Sequence, residues 1–225
     1  MKTRVLYPGT FSMVEVLLEK GETVKAESGA MVAMSNTIDL EGKMEGGLFG
    51  AAARMLAGEK FFFQTLRASR GNGKALLAPS FPGDVVIMEL DGHTEYIVQK
   101  DGFLAGSETI SINTTMQNLA KGIFSGEGFF VLKASGVGQL ILSSFGAIHE
   151  ISLEPGEEYV IDNKHLVAWP STTTYKIDKA SKGWISSFTS GEGLVCKFTG
   201  PGKVYIQSRN TSAFAGWVNQ FIPSK

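Results

Sequence analysis

The sequence predicts an all-β protein of three internal β-sandwich-like repeats around a pseudo-threefold axis, followed by a short C-terminal helix. Its clearest feature is a Gly-Glu pair before an apolar run, which occurs at residues 58–63, 126–131 and 191–196. Each run leads to a Gly-x-Gly turn, as in a β-hairpin, and these turns lie at residues 71–73, 136–138 and 200–202. Ala33, Ala105 and Ala168 stand at equivalent positions farther upstream.

The repeats span residues 10–83, 84–146 and 147–210 of one domain, which covers residues 1–225. About six short strands per repeat, separated by turn residues, form an all-β pattern. Three equivalent units can bury their apolar faces around a common axis, whereas a linear array would need capped ends. Because no repeat resembles a cap, we expect a cyclic arrangement.

The elements of the first repeat follow from its apolar runs and turn residues. Strands are expected at residues 13–18, 24–26, 30–34 and 37–40, from residue 61, and at residues 74–78. Polar and apolar side chains alternate in residues 37–40, as they do in a half-buried strand. The segment 46–57 is rich in alanine, methionine and leucine after its glycines, which favours a short helix.

The later repeats follow the same order, and a helix ends the chain. Before their Gly-Glu pairs, strands are expected at residues 85–90, 96–98, 103–105, 148–153, 159–161 and 166–169. Residues 211–222 place Phe214, Trp217, Val218 and Phe221 at helical spacing. This amphipathic helix either docks on the β body of its own chain or binds a partner.

The amino-acid composition limits which partners and which cellular compartment we expect for the protein. The 225 residues carry a net charge of -1, from 21 basic and 22 acidic residues, so no broad positive field favours nucleic acid or an anionic membrane. A single cysteine, Cys196, agrees with a reducing compartment. The start of the chain lacks the apolar core of a signal peptide, and no apolar run is long enough to span a membrane. We expect a cytoplasmic protein.

No stretch of the sequence carries a recognisable catalytic or cofactor-binding chemistry. The histidines at 93, 149 and 165 lack recurring ligands at metal-site spacing. Cys196 lies inside an apolar run, where a thiol is usually a buried hydrophobe. Residues 71–74, Gly-Asn-Gly-Lys, lack the first glycine and the Ser/Thr of a phosphate loop. We therefore expect a protein that is not an enzyme and binds no metal or cofactor.

Several residues of the first repeat match a known family. They are the run at residues 24–32, the Gly46-Gly47-Leu48 turn, the spacing of Arg54 to Gly58-Glu59, and Phe61-Phe62. Over nearly the whole chain the sequence resembles the family named for altered inheritance of mitochondria, whose many prokaryotic members have no assigned function. The resemblance implies a fold similar to the tryptophan RNA-binding attenuation protein, and a link to inner-membrane organisation and respiratory growth. It implies no catalytic residues.

Two sets of residues are candidate sites. Leu48, Phe49, Arg54 and Met55 belong to the segment without a full counterpart in the other repeats, which either plugs the β body or contacts a partner chain or a second copy of this protein. Glu59, Glu127 and Glu192 are either local turn caps or a shared acidic ring. The predicted function is a non-catalytic scaffold or interaction protein. The alternatives are a β-toroid that binds a small ligand between repeats, and an RNA-binding module.

Overall fold

The structure, a computed structural model of the chain, describes residues 1–9, 11–41, 63–117, 129–179 and 194–222. Within these ranges the chain forms nineteen β-strands, two short 3-10 helices and one α-helix. The strands form four antiparallel sheets. This confirms the coarser part of the predicted fold class: the described chain is nearly all β, with one short helix at the C-terminal end.

The strands are best described as one initial strand and three blocks of six. The initial strand, which the sequence analysis did not predict, is β1 (Lys2–Leu6). Block 1 contains β2 (Met13–Leu18), β3 (Thr23–Glu27), β4 (Met31–Met34), β5 (Asp39–Glu41), β6 (Phe63–Arg67) and β7 (Gly73–Leu77). Block 2 contains β8 (Val85–Asp91), β9 (Tyr96–Gln99), β10 (Phe103–Ser107), β11 (Ser111–Gln117), β12 (Phe129–Ser135) and β13 (Val137–Ser143). Block 3 contains β14 (Ile148–Leu153), β15 (Glu158–Asp162), β16 (Leu166–Pro170), β17 (Thr174–Lys179), β18 (Leu194–Thr199) and β19 (Gly202–Gln207).

The three blocks share one pairing scheme. In each block the first strand pairs with the sixth, as β2 does with β7, β8 with β13 and β14 with β19. The sixth strand also pairs with the third, while the second and fourth strands both pair with the fifth. In each third strand the register shifts just before an alanine, at Ala33, Ala105 and Ala168. The three alanines therefore follow corresponding irregularities of the ladder.

Neighbouring blocks are joined strand to strand. β3 of block 1 pairs with β10 of block 2, and β9 of block 2 pairs with β16 of block 3. Two sheets consequently contain six strands, drawn from two blocks each. The buried clusters cross these joints, because Leu104 and Ala105 belong to the core of block 1, and Val167 and Ala168 to the core of block 2. Each joint is thus part of a continuous hydrophobic core.

The C-terminal helix, α1 (Thr211–Asn219), follows β19 directly. Asn210 caps it, since its Oδ1 accepts a hydrogen bond of 2.7 Å from the backbone N–H of Ala213. The helix ends before the predicted limit at residue 222, because the chain tightens and the Phe221 N–H donates to the Val218 carbonyl at 2.9 Å. In the part of the chain that the structure describes, no helix is long and apolar enough to cross a membrane.

Candidate interaction surface

The residues proposed from sequence as sites lie outside the described residues. This holds for the segment that contains Leu48, Phe49, Arg54 and Met55, and for the acidic positions Glu59, Glu127 and Glu192. Their roles stay predictions. The described residues instead bring together an apolar surface that the sequence predicted only in part, through the helix at the C-terminal end.

This aromatic surface consists of Phe81, Phe145, Phe214, Trp217 and Phe221, whose rings form one continuous run. The ring centroids are 5.7 Å apart for Phe81 and Phe145, 5.3 Å for Phe145 and Phe214, 5.9 Å for Phe214 and Trp217, and 5.2 Å for Trp217 and Phe221. Phe145 is buried and anchors the run, whereas Trp217 is 56% exposed and Phe221 is 69% exposed. An exposed run of this size is typical of an interaction site.

The surface forms where the segments that connect the blocks lie side by side. Gly83, between blocks 1 and 2, and Gly146, between blocks 2 and 3, form an isolated parallel bridge. A Cβ atom at Gly83 would lie 1.5 Å from the Ser144 carbonyl oxygen, so this approach requires glycine. Arg209 lies between the last strand of block 3 and α1, and its backbone N–H donates to the Phe145 carbonyl at 3.2 Å. The strand connections thereby bring Phe81 and Phe145 next to α1.

The loop before block 1 adds two exposed aromatic side chains near the same connections. Ser12 donates its backbone N–H to the Gly83 carbonyl at 3.0 Å, and its hydroxyl to Asp84 Oδ1 at 2.8 Å. The loop also carries Tyr7 and Phe11, which are both highly exposed. A phenylalanine therefore precedes the first strand of every block, at residues 11, 81 and 145. This recurrence is the sequence signal that could have revealed the surface.

An open groove of about 420 Å³ lies beside the helix. It is lined by His165, Ser208, Arg209, Asn210, Ala213, Phe214 and Trp217. Its polar side chains mainly position α1: His165 Nδ1 lies 2.6 Å from the Gln207 carbonyl oxygen, and His165 Nε2 lies 3.0 Å from the Asn210 amide nitrogen. The imidazole with its proton on Nδ1 satisfies both contacts. The histidine thus holds the capping residue of the helix rather than a ligand.

The described residues show no arrangement suited to nucleophilic or metal chemistry. Burial, and to a smaller extent the charge of Asp162, raise the pKa of the Cys196 thiol to about 12, so the reactive thiolate is suppressed. Among the described residues, no three histidine, cysteine, aspartate or glutamate side chains come together as a metal site would require.

Several basic residues near the hairpins form ion pairs with carboxylates. The ion pairs join Lys74 to Glu15 at 3.2 Å, Lys133 to Glu95 at 2.5 Å and Lys203 to Glu150 at 2.9 Å, and they also include Arg70 with Asp39. Such pairing lowers the positive charge that is available to a phosphate backbone. RNA capture would need cations clustered beside exposed aromatic rings, and these pairs lie on separate strands.

One carboxyl group has an unusual environment, at the joint between blocks 1 and 2. Burial raises the pKa of Glu27, at the end of β3, to about 7. The charge of Asp101 adds to this rise and that of Lys100 opposes it. Both neighbours lie in the 3-10 helix that precedes β10. The pKa of Glu27 therefore depends on the contact between blocks 1 and 2.

A comparison with known protein families shows to which family the chain belongs. The family model described as mitochondrial biogenesis AIM24 matches residues 3–209. The chain belongs to the AIM24 family. The resemblance inferred from the sequence is therefore confirmed, and the AIM24 match covers all three blocks of strands.

Relatives of the chain are found in bacteria and fungi. An uncharacterized protein of Streptococcus pyogenes serotype M6 is 36% identical over 221 residues, which are 95% of this chain and 88% of that protein. The altered inheritance of mitochondria protein 24 of Verticillium alfalfae is 26% identical over 161 residues, which are 71% of this chain but 41% of that protein. A crystal structure of a Streptococcus pyogenes protein from structural genomics has a TM-score of 0.81 and 35% identity, and covers 98% of this chain and 99% of that one.

Proposed function

We propose that this AIM24-family protein is a non-catalytic scaffold or interaction protein that binds a partner protein through its aromatic surface. The observation that carries the proposal is the continuous run of rings from Phe81 to Phe221, which is exposed at one place on a β framework. Clustered aromatic side chains, above all tryptophan, dominate the binding energy of many protein interfaces. The buried ring of Phe145 fixes the position of the neighbouring rings of Phe81 and Phe214, which lowers the entropy cost of binding a partner.

A protein partner fits this surface better than a membrane does. Peripheral membrane binding usually combines aromatic side chains with several lysines or arginines that face anionic lipids. Among the described residues that line the adjoining groove, Arg209 is the one lysine or arginine, and the whole chain has a net charge of -1. A link to the organisation of membrane or respiratory complexes, which the family resemblance implies, would then pass through a partner protein.

The proposal includes the internal repetition expected from the sequence. Three blocks with the same strand pairings and corresponding alanines support repeats similar to the tryptophan RNA-binding attenuation protein. A closed pseudo-threefold arrangement within one chain would also require β4 to pair with β15, and these two strands do not pair with each other. The two alternatives differ in support. The groove of about 420 Å³ favours a small ligand as the second candidate, while the ion-paired lysines speak against RNA.

The test compares a truncation inside the aromatic surface with a truncation of an exposed apolar side chain outside it. Trp217→Ala/Phe221→Ala truncates the most exposed part of the surface, and Val137→Ala truncates a side chain of β13 that is 61% exposed outside it. Partners cross-linked to the wild-type protein in its own cells are purified, and their affinity is measured by calorimetry. We expect the double variant to lose about tenfold or more in affinity, and the control to bind as wild type.

Two results would overturn the proposal. One is a purified partner that binds the double variant as tightly as the wild-type protein while both keep the same melting temperature. The other is the absence of a protein partner together with cosedimentation on phosphatidylserine-containing vesicles, which the double variant abolishes; the surface would then bind membranes.

A further inference from the structure

The chain contains the same kind of joint between blocks twice. At both joints the second strand of one block pairs with the third strand of the next block. At the first joint Ala105 of β10 lies opposite Ala26 of β3, and at the second Ala168 of β16 lies opposite Val98 of β9. In each case the alanine after the register shift faces a buried apolar residue.

A third joint of this kind would pair the second strand of block 3 with the third strand of block 1, and these two strands do not form such a joint within the described chain. The third strand of block 1, β4, pairs with β7 on one side, and the second strand of block 3, β15, pairs with β18 on one side. Each stands at the end of its sheet, and these two strands do not pair with each other. Both are fully described, and among the residues that the structure describes neither has a partner strand on its other edge.

Side chains that are buried at the two joints are exposed on these edges. Val32 of β4 is 56% exposed, whereas Leu104 and Val167, which hold its place before the alanine in β10 and β16, are 0% and 1% exposed. The latter two lie in the core of the preceding block. On β15, Val160 is 43% exposed, whereas Ile97 at the same place in β9 is 6% exposed. The edges of β4 and β15 thus carry apolar residues like those that are buried at the two joints, but here these residues are exposed.

We propose that β15 of one copy of the protein pairs with β4 of a second copy, which forms a third joint between chains. The register of the two existing joints places Ala33 opposite Ile161 and Met34 opposite Val160. Val32 then enters the block 3 core of the neighbouring copy. The occupant is a second copy because the two edges are complementary in the way that the internal joints already show.

This joint is heterologous, since the two chains contribute different strands. Each copy keeps one free edge of each kind, so assembly continues until a ring closes, or proceeds as a filament. The inference is independent of the aromatic surface. It concerns the lateral edges of the sheets, and a failure of one proposal leaves the other intact.

Two edge variants test the joint by complementation. Val32→Glu places a charge where the joint would bury it, and Val160→Glu does the same on the other edge. In the separate chain both positions are exposed, so both variants should fold. Val137→Glu is the matched control, because it adds the same charge to an exposed valine of β13. Sedimentation equilibrium measures the assembly size of each protein at several concentrations.

We expect the wild-type protein and the control to self-associate in a concentration-dependent way. Either edge variant should weaken the association by at least about a hundredfold, because a buried unpaired charge is costly. A mixture of the two edge variants should form a heterodimer, because Val32→Glu retains a native β15 and Val160→Glu retains a native β4. An isologous contact between like edges would leave one of the two variants dimeric on its own, and that result would overturn the proposal.

Cross-linking tests the register and the identity of the occupant. In Met34→Cys/Val160→Cys the two thiols lie opposite each other in the proposed joint, within reach of a disulfide. Oxidation should give dimers and larger species on a non-reducing gel, while Cys196 stays protected in the core. A wild-type protein that is monomeric at every concentration, or a disulfide that forms within single chains, would show that each edge is closed by its own chain and would overturn the proposal.

Discussion

Replacement of Glu27 by glutamine should stabilise the protein, and the gain should depend on pH. Glu27 ends β3 at the joint between blocks 1 and 2, where burial and the charge of Asp101 raise its pKa from 4.5 to about 7. The register shows that Gln99 holds the corresponding place in β9, because Val98 and Ala26 lie opposite Ala168 and Ala105. The carboxamide of Gln99 donates to the Asn163 carbonyl at 3.4 Å, so the chain itself shows that glutamine fits such a joint.

The magnitude follows from the two pKa values. Below about pH 4.5 the carboxyl of Glu27 is protonated in both the folded and the unfolded chain, and its ionisation has no effect on stability. Between pH 4.5 and about 7 the unfolded chain loses the proton while the folded protein keeps it, so the free energy of unfolding falls as pH rises. Above about pH 7 the folded protein contains the ionised group, at a cost of up to about 3 kcal/mol.

Urea unfolding at several pH values measures this effect as the difference between variant and wild type. Glu27→Gln should be close to wild type at about pH 4.5, and more stable by about 2 to 3 kcal/mol at about pH 8. Glu108→Gln, on an exposed turn, is the control and should show no such trend. A difference between Glu27→Gln and wild type that stays constant across this range would refute the reasoning.

Two further substitutions test the parts that hold the aromatic surface. Gly83→Ala should cost at least about 3 kcal/mol of the free energy of unfolding, because its Cβ would meet the Ser144 carbonyl oxygen at 1.5 Å; wild-type stability in urea would contradict the close approach. Asn210→Ala should lose the cap of α1, worth about 1 kcal/mol, and hydrogen exchange in the helix should quicken, whereas Asn210→Asp should keep the cap. Equal exchange in both variants would mean that the cap does not hold the helix.

Local patterns predicted most of the strands, because each depends on few neighbouring residues, but they gave no position for β11 or β17. The hairpin around Gly136 and the alternation in residues 37–40 are local signals; the structure forms the hairpin from β12 and β13, and it begins β5 only at Asp39. The alanines at 33, 105 and 168 were aligned from sequence, and they follow corresponding register shifts. The initial strand β1 was missed, because five residues with two of them basic give a weak pattern, and its pairing with β2 supplies what the pattern lacks.

The candidate surface was largely beyond prediction because its parts are distant in sequence. Phe81, Phe145 and Phe214 touch only because three connecting segments run side by side, and backbone contacts such as Gly83 with Gly146 decide that. The free edges were hidden for the same reason. An edge strand has the same sequence pattern as a central strand, and only the pairing shows which one lacks a partner.

The proposed joint and the aromatic surface can be tested with the same set of variants. Within blocks 1 and 3 the segments before the first strand and after the last strand lie side by side, because Ser12 donates its N–H to the Gly83 carbonyl at 3.0 Å and Ser208 donates its N–H to the Ala147 carbonyl at 2.9 Å. Val32→Glu should remove assembly while Trp217→Ala/Phe221→Ala removes partner binding. If Val32→Glu also lowers partner affinity, the partner bridges two copies, and the assembly supplies part of its binding site.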